Sequence, residues 1–247
     1  MLNSIQGKVA LVTGANRGIG KTLLEAFVSG GCSKVYAAVR NTDSAAPLVD
    51  KYGPIVCPLH LDLSQPDSIR AAAASAQDVA IVVNNAGVLK TSTVFSSDAI
   101  DSMEFEMSIN VYGLIHLAQA FAPILKENGG GLLAQLNSLA SIKAFSPFAT
   151  YSASKAASYS ITQALKDDLK AQGTRVISIH PSAIATDMGD AAGLAEIAEP
   201  ASLVSDALMR AINDGSFHAF AGSVAKQVEA VYQSFATNIV EADLGED

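Results

Sequence analysis

The chain has 247 residues, 49% of them hydrophobic and 16% charged, with a formal net charge of −8. This length and hydrophobic content suit one core-rich globular domain and exclude an intrinsically disordered chain. The acidic balance argues against sequence-independent binding to nucleic acid, which needs clustered Lys and Arg, and the longest apolar stretch, 111–125, is too short and too interrupted by His116 and Gln119 to span a bilayer.

The first residues, Met1 to Gln6, show no basic region followed by an apolar one, so no signal peptide is expected. Cys32 and Cys57 read as ordinary buried thiols of a reducing compartment, and a soluble cytoplasmic protein is expected.

In chain order, short β-branched runs recur at 9–13, 35–39, 55–61, 79–83, 132–137 and 176–180, with 217–221 a candidate seventh. Each run is continuously apolar rather than alternating, the pattern of strands covered on both faces of a parallel sheet. Helices are expected between them at 19–29, 68–77, 101–127 and 149–172. This alternation predicts a single α/β domain over 1–247: a Rossmann-type, doubly wound parallel sheet of six or seven strands with helices on both faces. Further on, Val224, Val228, Val231, Phe235 and Ile239 recur every three or four residues, so 222–240 is expected to be a helix whose apolar stripe covers a surface. The acidic end, 241–247, reads as a solvated tail.

Three places along this pattern carry chemistry. After the first strand comes Thr13-Gly14-Ala15-Asn16-Arg17-Gly18-Ile19-Gly20, leading straight into a helix. Free N–H groups and the positive end of the helix dipole suit a pyrophosphate there, and glycine lets the backbone approach it without a Cβ in the way. The spacing is G-x-x-x-G-x-G, and an ordinary glycine-rich βα turn has the same look. The second strand ends at Val39-Arg40 with no acidic residue to accept from a ribose hydroxyl. Arg40 and Arg17 instead offer two guanidinium groups for a phosphate dianion, which favours NADP over NAD.

The third place is Tyr151-x-x-x-Lys155, with Ser138 thirteen residues before the tyrosine. Residues i and i+4 share a helix face. An ammonium beside a phenol is expected to lower its ordinary pKa of about 10, preparing Tyr151 to exchange a proton with a carbonyl or alcohol oxygen. A Y-x-x-x-K pair alone is a common accident on helices. Ser138 at the end of the fifth strand and the glycine turn at the end of the first make chance a poorer account.

Together, Thr13-Gly14-x-x-x-Gly18-x-Gly20, Asn84-Asn85-Ala86-Gly87, Asn110, Ser138 and Tyr151-x-x-x-Lys155 resemble, in order and spacing, the motifs of the short-chain dehydrogenase/reductase family along nearly the whole chain. The resemblance implies NADP(H) as cofactor and a small-molecule carbonyl or alcohol as substrate. Tyr151 would be the general acid or base. Lys155 would lower its pKa and hold the nicotinamide ribose, and Ser138 would polarise the substrate carbonyl. Asn110 would anchor a water leading from Lys155 to solvent. Gly14, Asn16, Arg17, Gly18, Ile19 and Gly20 would cradle the phosphates, with Arg40 on the 2′-phosphate. Asp62 and Leu63 would meet the adenine, and Asn85, Ala86 and Gly87 the adenosine ribose. Pro181, Ile184 and Thr186 would face the nicotinamide. No metal is expected, since His60, His116, His180 and His218 are scattered without ligand spacing.

Two departures from the family pattern stand out. Ser182 follows Pro181 where the family usually has glycine, and 222–240 replaces the short tail that many relatives use in tetramer contacts. A homodimer or homotetramer is expected, pairing through 101–127 and 149–172, where Ala153, Ala156, Ala157 and Ser160 permit close approach. Substrate selection falls to 88–95, 139–148 and 187–198, which contribute Leu89, Ile142, Phe145, Phe148, Met188 and Leu194; the last segment reads as a lid. The expected activity is NADPH-dependent reduction of a ketone or aldehyde. The alternatives are reduction of a 3-oxoacyl thioester and, in a different class, a non-catalytic NADP sensor. Oxidation of alcohols with NAD is disfavoured by Arg40.

Overall fold

The computed structural model describes residues 4–242. Seven parallel strands form one sheet in the order β3-β2-β1-β4-β5-β6-β7. The strands are β1 (Val9–Thr13), β2 (Lys34–Val39), β3 (Val56–His60), β4 (Ile81–Asn84), β5 (Leu132–Leu136), β6 (Arg175–Pro181) and β7 (His218–Ala221). The helices are α1 (Gly18–Ser29), α2 (Ala46–Tyr52), α3 (Pro66–Ser75), α4 (Ala99–Met107), α5 (Gly113–Glu127), α6 (Ala149–Asp168), α7 (Asp187–Ala191), α8 (Ser202–Asp214) and α9 (Ser223–Phe235).

Continuous apolar strands arise because each face of the sheet has its own core. On β1, Ala10 and Val12 join one cluster with Leu23, Leu24 and Phe27 of α1 and Leu208 and Ile212 of α8. Leu11 between them points the other way, into a cluster with Ile69 of α3 and Leu117 and Phe121 of α5. The same alternation continues in β4 and β5. β3, at the edge, buries only Val56 and alternates half-exposed Cys57 and Leu59 with exposed Pro58 and His60, and it tolerates Pro58 for the same reason.

Three helices were not anticipated from sequence, α2, α8 and the short α7 within the expected lid segment. The expected helix 101–127 begins earlier, at Ala99, and is interrupted by a π turn over Ser108–Tyr112. Taken as one run, Ala99–Glu127 is long and apolar enough to cross a membrane by composition. Leu114, Leu117 and Phe121 are nevertheless fully buried, as in a core helix.

The apolar stripe on α9 does not cover the core as expected. Val231 is 81% exposed and Phe235 52%, while Ala225 is the buried residue of that helix. Of the expected acidic tail, 243–247 lie outside the described residues; Glu241 turns back to His218, Oε1 to Nδ1 at 2.9 Å. Both cysteines are free thiols, and burial pushes Cys32 up to about 11, which makes it inert.

The strand order reverses between β1 and β4, so the loops after these strands diverge and leave a crevice at their carboxyl ends. A buried polar chain fixes that edge. The Thr13 hydroxyl donates to Asn84 Oδ1 at 3.0 Å and accepts the N–H groups of Asn85 and Ala86, each at 2.9 Å. Asn84 Nδ2 continues to Gln135 Oε1 at 2.8 Å, tying β1, β4 and β5 together where the site begins.

Candidate active site

A cleft of about 1060 Å³ runs along the carboxyl edge of the sheet. Each residue expected to bind the cofactor lines it, and so do Ser138, Tyr151 and Lys155. Asn110 stands behind the wall, buried in the π turn.

At one end the glycine turn is shaped for a phosphate. Gly14 and Gly18 have φ of +65° and +51°, conformations that side-chain-bearing residues avoid. A Cβ on Gly20 would overlap the Gly14 carbonyl oxygen and lie 2.5 Å from Asn85 Nδ2. The N–H groups in the first turn of α1 have no partner within the helix, and no carboxylate sits in that turn. These residues fit the pyrophosphate of a dinucleotide. Arg17, expected on the 2′-phosphate, pairs instead with Asp187 at the start of α7, at 2.6 Å. Both side chains are largely exposed, and such a pair contributes at most about 1 kcal/mol, so it yields readily to a phosphate dianion. Arg40 is exposed just past the end of β2 and lines the cleft beside Asn41 and Ser44.

At the middle of the cleft stand Ser138, Tyr151 and Lys155. Ser138 is held from behind: its carbonyl accepts from the Ser141 hydroxyl at 2.5 Å and from His180 Nδ1 at 3.2 Å. On the other side of the ring, the Ser178 hydroxyl lies 2.7 Å from Nε2. Burial pushes His180 down to about 3, so it stays neutral and structural. The Ser138 oxygen accepts the Ala140 N–H at 3.1 Å, which leaves its proton available to the cleft.

Tyr151 sits in the first turn of α6 and Lys155 one turn later on the same face. The expected lowering of the phenol pKa is not what this structure shows. Burial raises Tyr151 to about 12, opposed by the Ser138 hydroxyl and reinforced by the nearby Glu106. Lys155 Nζ lies 5.8 Å from the centre of the phenol ring and donates to the Leu136 carbonyl at 2.8 Å. Its own pKa is pushed down by burial to about 8.

The Asn110 carboxamide, expected to anchor a water, ties together the loop that borders the cleft. Its Oδ1 accepts the Val88 N–H at 2.9 Å, and Nδ2 donates to the Val88 carbonyl at 2.9 Å and to the Ser154 hydroxyl at 3.0 Å. Glu106, fully buried on α4, accepts the Lys90 N–H at 2.7 Å, and burial raises its pKa. Neither Glu106 nor the packing of His180 was anticipated. The histidines were expected to be scattered, but the pairing of β6 with β7 brings His180 and His218 to 5.7 Å between ring centres.

The remaining end of the cleft is apolar. Leu89, Phe145, Phe148, Met188 and Leu194 line it as expected, joined by Leu139, Ile197 and Val224. Ile142 does not; it packs on the core. The 187–198 segment forms α7, capped by Thr186 accepting the Gly189 N–H at 3.1 Å, and a short 3₁₀ turn at Ala195–Ile197.

A family model described as short chain dehydrogenase matches residues 8–196. The chain belongs to the short-chain dehydrogenase family. The 7α-hydroxysteroid dehydrogenase of Escherichia coli K12 is 32% identical over 190 residues, which cover 74% of this chain and 73% of the relative. A short-chain dehydrogenase from Burkholderia cenocepacia, solved with NADP, superposes with a TM-score of 0.84 at 31% identity, covering 96% of this chain and 98% of that one. A family member from Burkholderia phymatum, solved with NAD, has a TM-score of 0.82 and covers 98% and 96% of the two chains; at 23% identity it bears on the fold alone. As a short-chain dehydrogenase this protein is an oxidoreductase of CH–OH and C=O groups, working with a nicotinamide dinucleotide.

Proposed function

We propose that the protein is an NADPH-dependent carbonyl reductase for an apolar ketone or aldehyde. The observation that carries this reading is a protonated phenol beside the Ser138 hydroxyl, placed where the phosphate-shaped part of the cleft meets its apolar part. Burial holds the Tyr151 phenol above its ordinary value, so it carries its proton at neutral pH and is present as the acid that a reduction needs.

Bound NADPH supplies the hydride. The Ser138 hydroxyl donates to the carbonyl oxygen and fixes its position. Tyr151 delivers the proton to that oxygen as negative charge develops there. Lys155, charged and within reach of the phenol's side of the cleft, favours the phenolate left behind. Asn110 holds Val88 and so the wall facing Lys155. Glycines 14, 18 and 20 admit the phosphates, Arg40 and Arg17 take the 2′-phosphate, and Asp62, Leu63, Asn85, Ala86 and Gly87 line the adenosine side. Pro181, Ile184 and Thr186 face the nicotinamide. The 187–198 segment serves as a lid over an uncharged substrate; the E. coli relative, by its name a steroid dehydrogenase, makes fused-ring ketones the first compounds to include. Pairing into a homodimer or homotetramer through the long helices is supported by the exposure of Phe95 (97%), Ile100 (71%) and Tyr112 (53%) on that side.

Purified protein should oxidise NADPH in the presence of apolar ketones, and Arg40→Asp should weaken NADPH binding roughly 10- to 100-fold while changing NADH binding little. Equal effects on the two cofactors would sink the phosphate assignment. The acidity of the site makes a further demand. Lys155 loses its proton near pH 8 whereas Tyr151 keeps its own to about 12, so the basic limb of reduction belongs to the lysine. The kcat/KM for NADPH, which reports ionisations of the free enzyme, should be level near neutrality and fall as pH rises through about 8. A level profile up to pH 10 would contradict the role given to the ammonium.

A further inference from the structure

Ser182 occupies the position after Pro181 where the family usually carries glycine, and its hydroxyl is engaged. It donates to Glu199 Oε2 at 3.1 Å and lies 3.3 Å from the Ala221 carbonyl. The same Glu199 oxygen accepts the Ser223 N–H at 2.8 Å and the Ser223 hydroxyl at 3.2 Å. Ser223 is the first residue of α9, so the carboxylate also lies at the positive end of that helix. The backbone of Glu199 grips the same loop from another side. Its N–H donates to the Ala183 carbonyl and its carbonyl accepts the Ala185 N–H, each at 2.9 Å, bracketing Ile184. Gly222, with φ of +100°, lets the three parts meet, since a Cβ there would overlap Ser182 Oγ and lie 2.6 Å from Glu199 Oε2. Ser182, Ala183, Ile184 and Glu199 all line the cleft, and so does Val224, the second residue of α9.

We infer that Glu199 is a positioning residue for the nicotinamide half of the site: with Ser182 and Ser223 it clasps the 182–186 loop to the C-terminal helix. This rests on the reading that Ile184 and Thr186 face the nicotinamide. The serine that departs from the family pattern is then one partner of the clasp. α9 becomes part of the active site rather than an appendage to it, and the clasp sets where Val224 stands at the substrate end.

The test compares Glu199→Ala, Glu199→Gln, Ser182→Gly and the Ser182→Gly/Glu199→Ala double variant. Binding is measured for NADPH and for 2′,5′-ADP, which carries the 2′-phosphate but no nicotinamide. Glu199→Ala should raise the Kd of NADPH about tenfold and leave that of 2′,5′-ADP within about twofold. Glu199→Gln, which keeps an acceptor oxygen, should recover most of the loss. Adding Ser182→Gly to Glu199→Ala should cost little more, because the two side chains share one interaction. Equal losses for both ligands, no rescue by glutamine, or additive effects would overturn the clasp. Hydrogen exchange in the cofactor-free protein gives an independent readout: the Ala185 amide should exchange faster in Glu199→Ala, and unchanged exchange would count against the proposal. Wild-type protein that binds neither nucleotide would defeat the reductase reading, with exchange still deciding the clasp.

Discussion

Replacing Tyr151 with phenylalanine should lower the turnover of carbonyl reduction about 10³-fold, within the 10²- to 10⁴-fold that a positioned proton donor contributes. The change removes one oxygen from a side chain on the first turn of α6 and leaves the ring in place. Affinity for NADPH should therefore stay within about threefold of wild type, because the phosphate-binding turn and Arg40 lie at the other end of the cleft. Ser138 alone cannot substitute for the phenol, because an aliphatic hydroxyl is a much weaker acid than a phenol. Rate measurements at saturating NADPH, paired with a fluorescence titration of the cofactor, check both halves. Loss of binding in parallel with loss of rate would place Tyr151 in the architecture of the cleft rather than in proton transfer.

Gly20→Ala is expected to be damaging by a different route. The added methyl would overlap the Gly14 carbonyl oxygen, and the other near neighbour is Asn85 Nδ2, whose amide is held to the Thr13 carbonyl at 2.8 Å. None of these groups is the free end of a flexible chain, so the turn itself must move. Overpacking of this kind costs about 1–3 kcal/mol. If the whole cost falls on the phosphate-binding conformation, 2 kcal/mol corresponds to roughly a 30-fold rise in the Kd of NADPH. If it falls on folding, the Tm drops by about 4–8 °C. Isothermal titration and a thermal melt on the same sample distinguish the two, and a variant unchanged in both would show that the glycine is not required by the geometry described.

The fold was largely legible because its signals are local. Residues 10–12 and 132–134 are apolar for one physical reason, burial on both faces, and glycines 14, 18 and 20 are where the backbone turns or touches. What escaped is instructive. α2 is only seven residues long, beginning with Ala46 and Pro47. α8 carries a sound stripe in Val204, Leu208, Ala211 and Ile212, but it follows the irregular 187–201 stretch and is diluted by small residues. The π turn at Ser108–Tyr112 has no periodicity of its own to betray it.

For the site, residue types and spacing brought the right side chains to one cleft, yet the electrostatics depended on packing. Tyr151 and Lys155 do share a face, but the ammonium donates to the Leu136 carbonyl, and burial, which only packing sets, raises the phenol. Glu106 adds to the effect from α4, a contact made only once α4 packs on α6. Ser182 was visible as an oddity. Its partner Glu199 lies seventeen residues on, and only the folding back of 187–198, which pairs Glu199 with the 183–185 loop, brings them within reach.

The central claim is that this cleft delivers a hydride to a carbonyl carbon while Tyr151 supplies the proton. The most direct measurement incubates the protein with an apolar ketone and NADPH carrying deuterium on the transferable face of nicotinamide C4, and then locates the label by mass spectrometry. Wild type should place deuterium on the carbinol carbon of the product, and Tyr151→Phe should form that product about 10³-fold more slowly. NADPH oxidised without label in the product, or equal labelling by the phenylalanine variant, would contradict it.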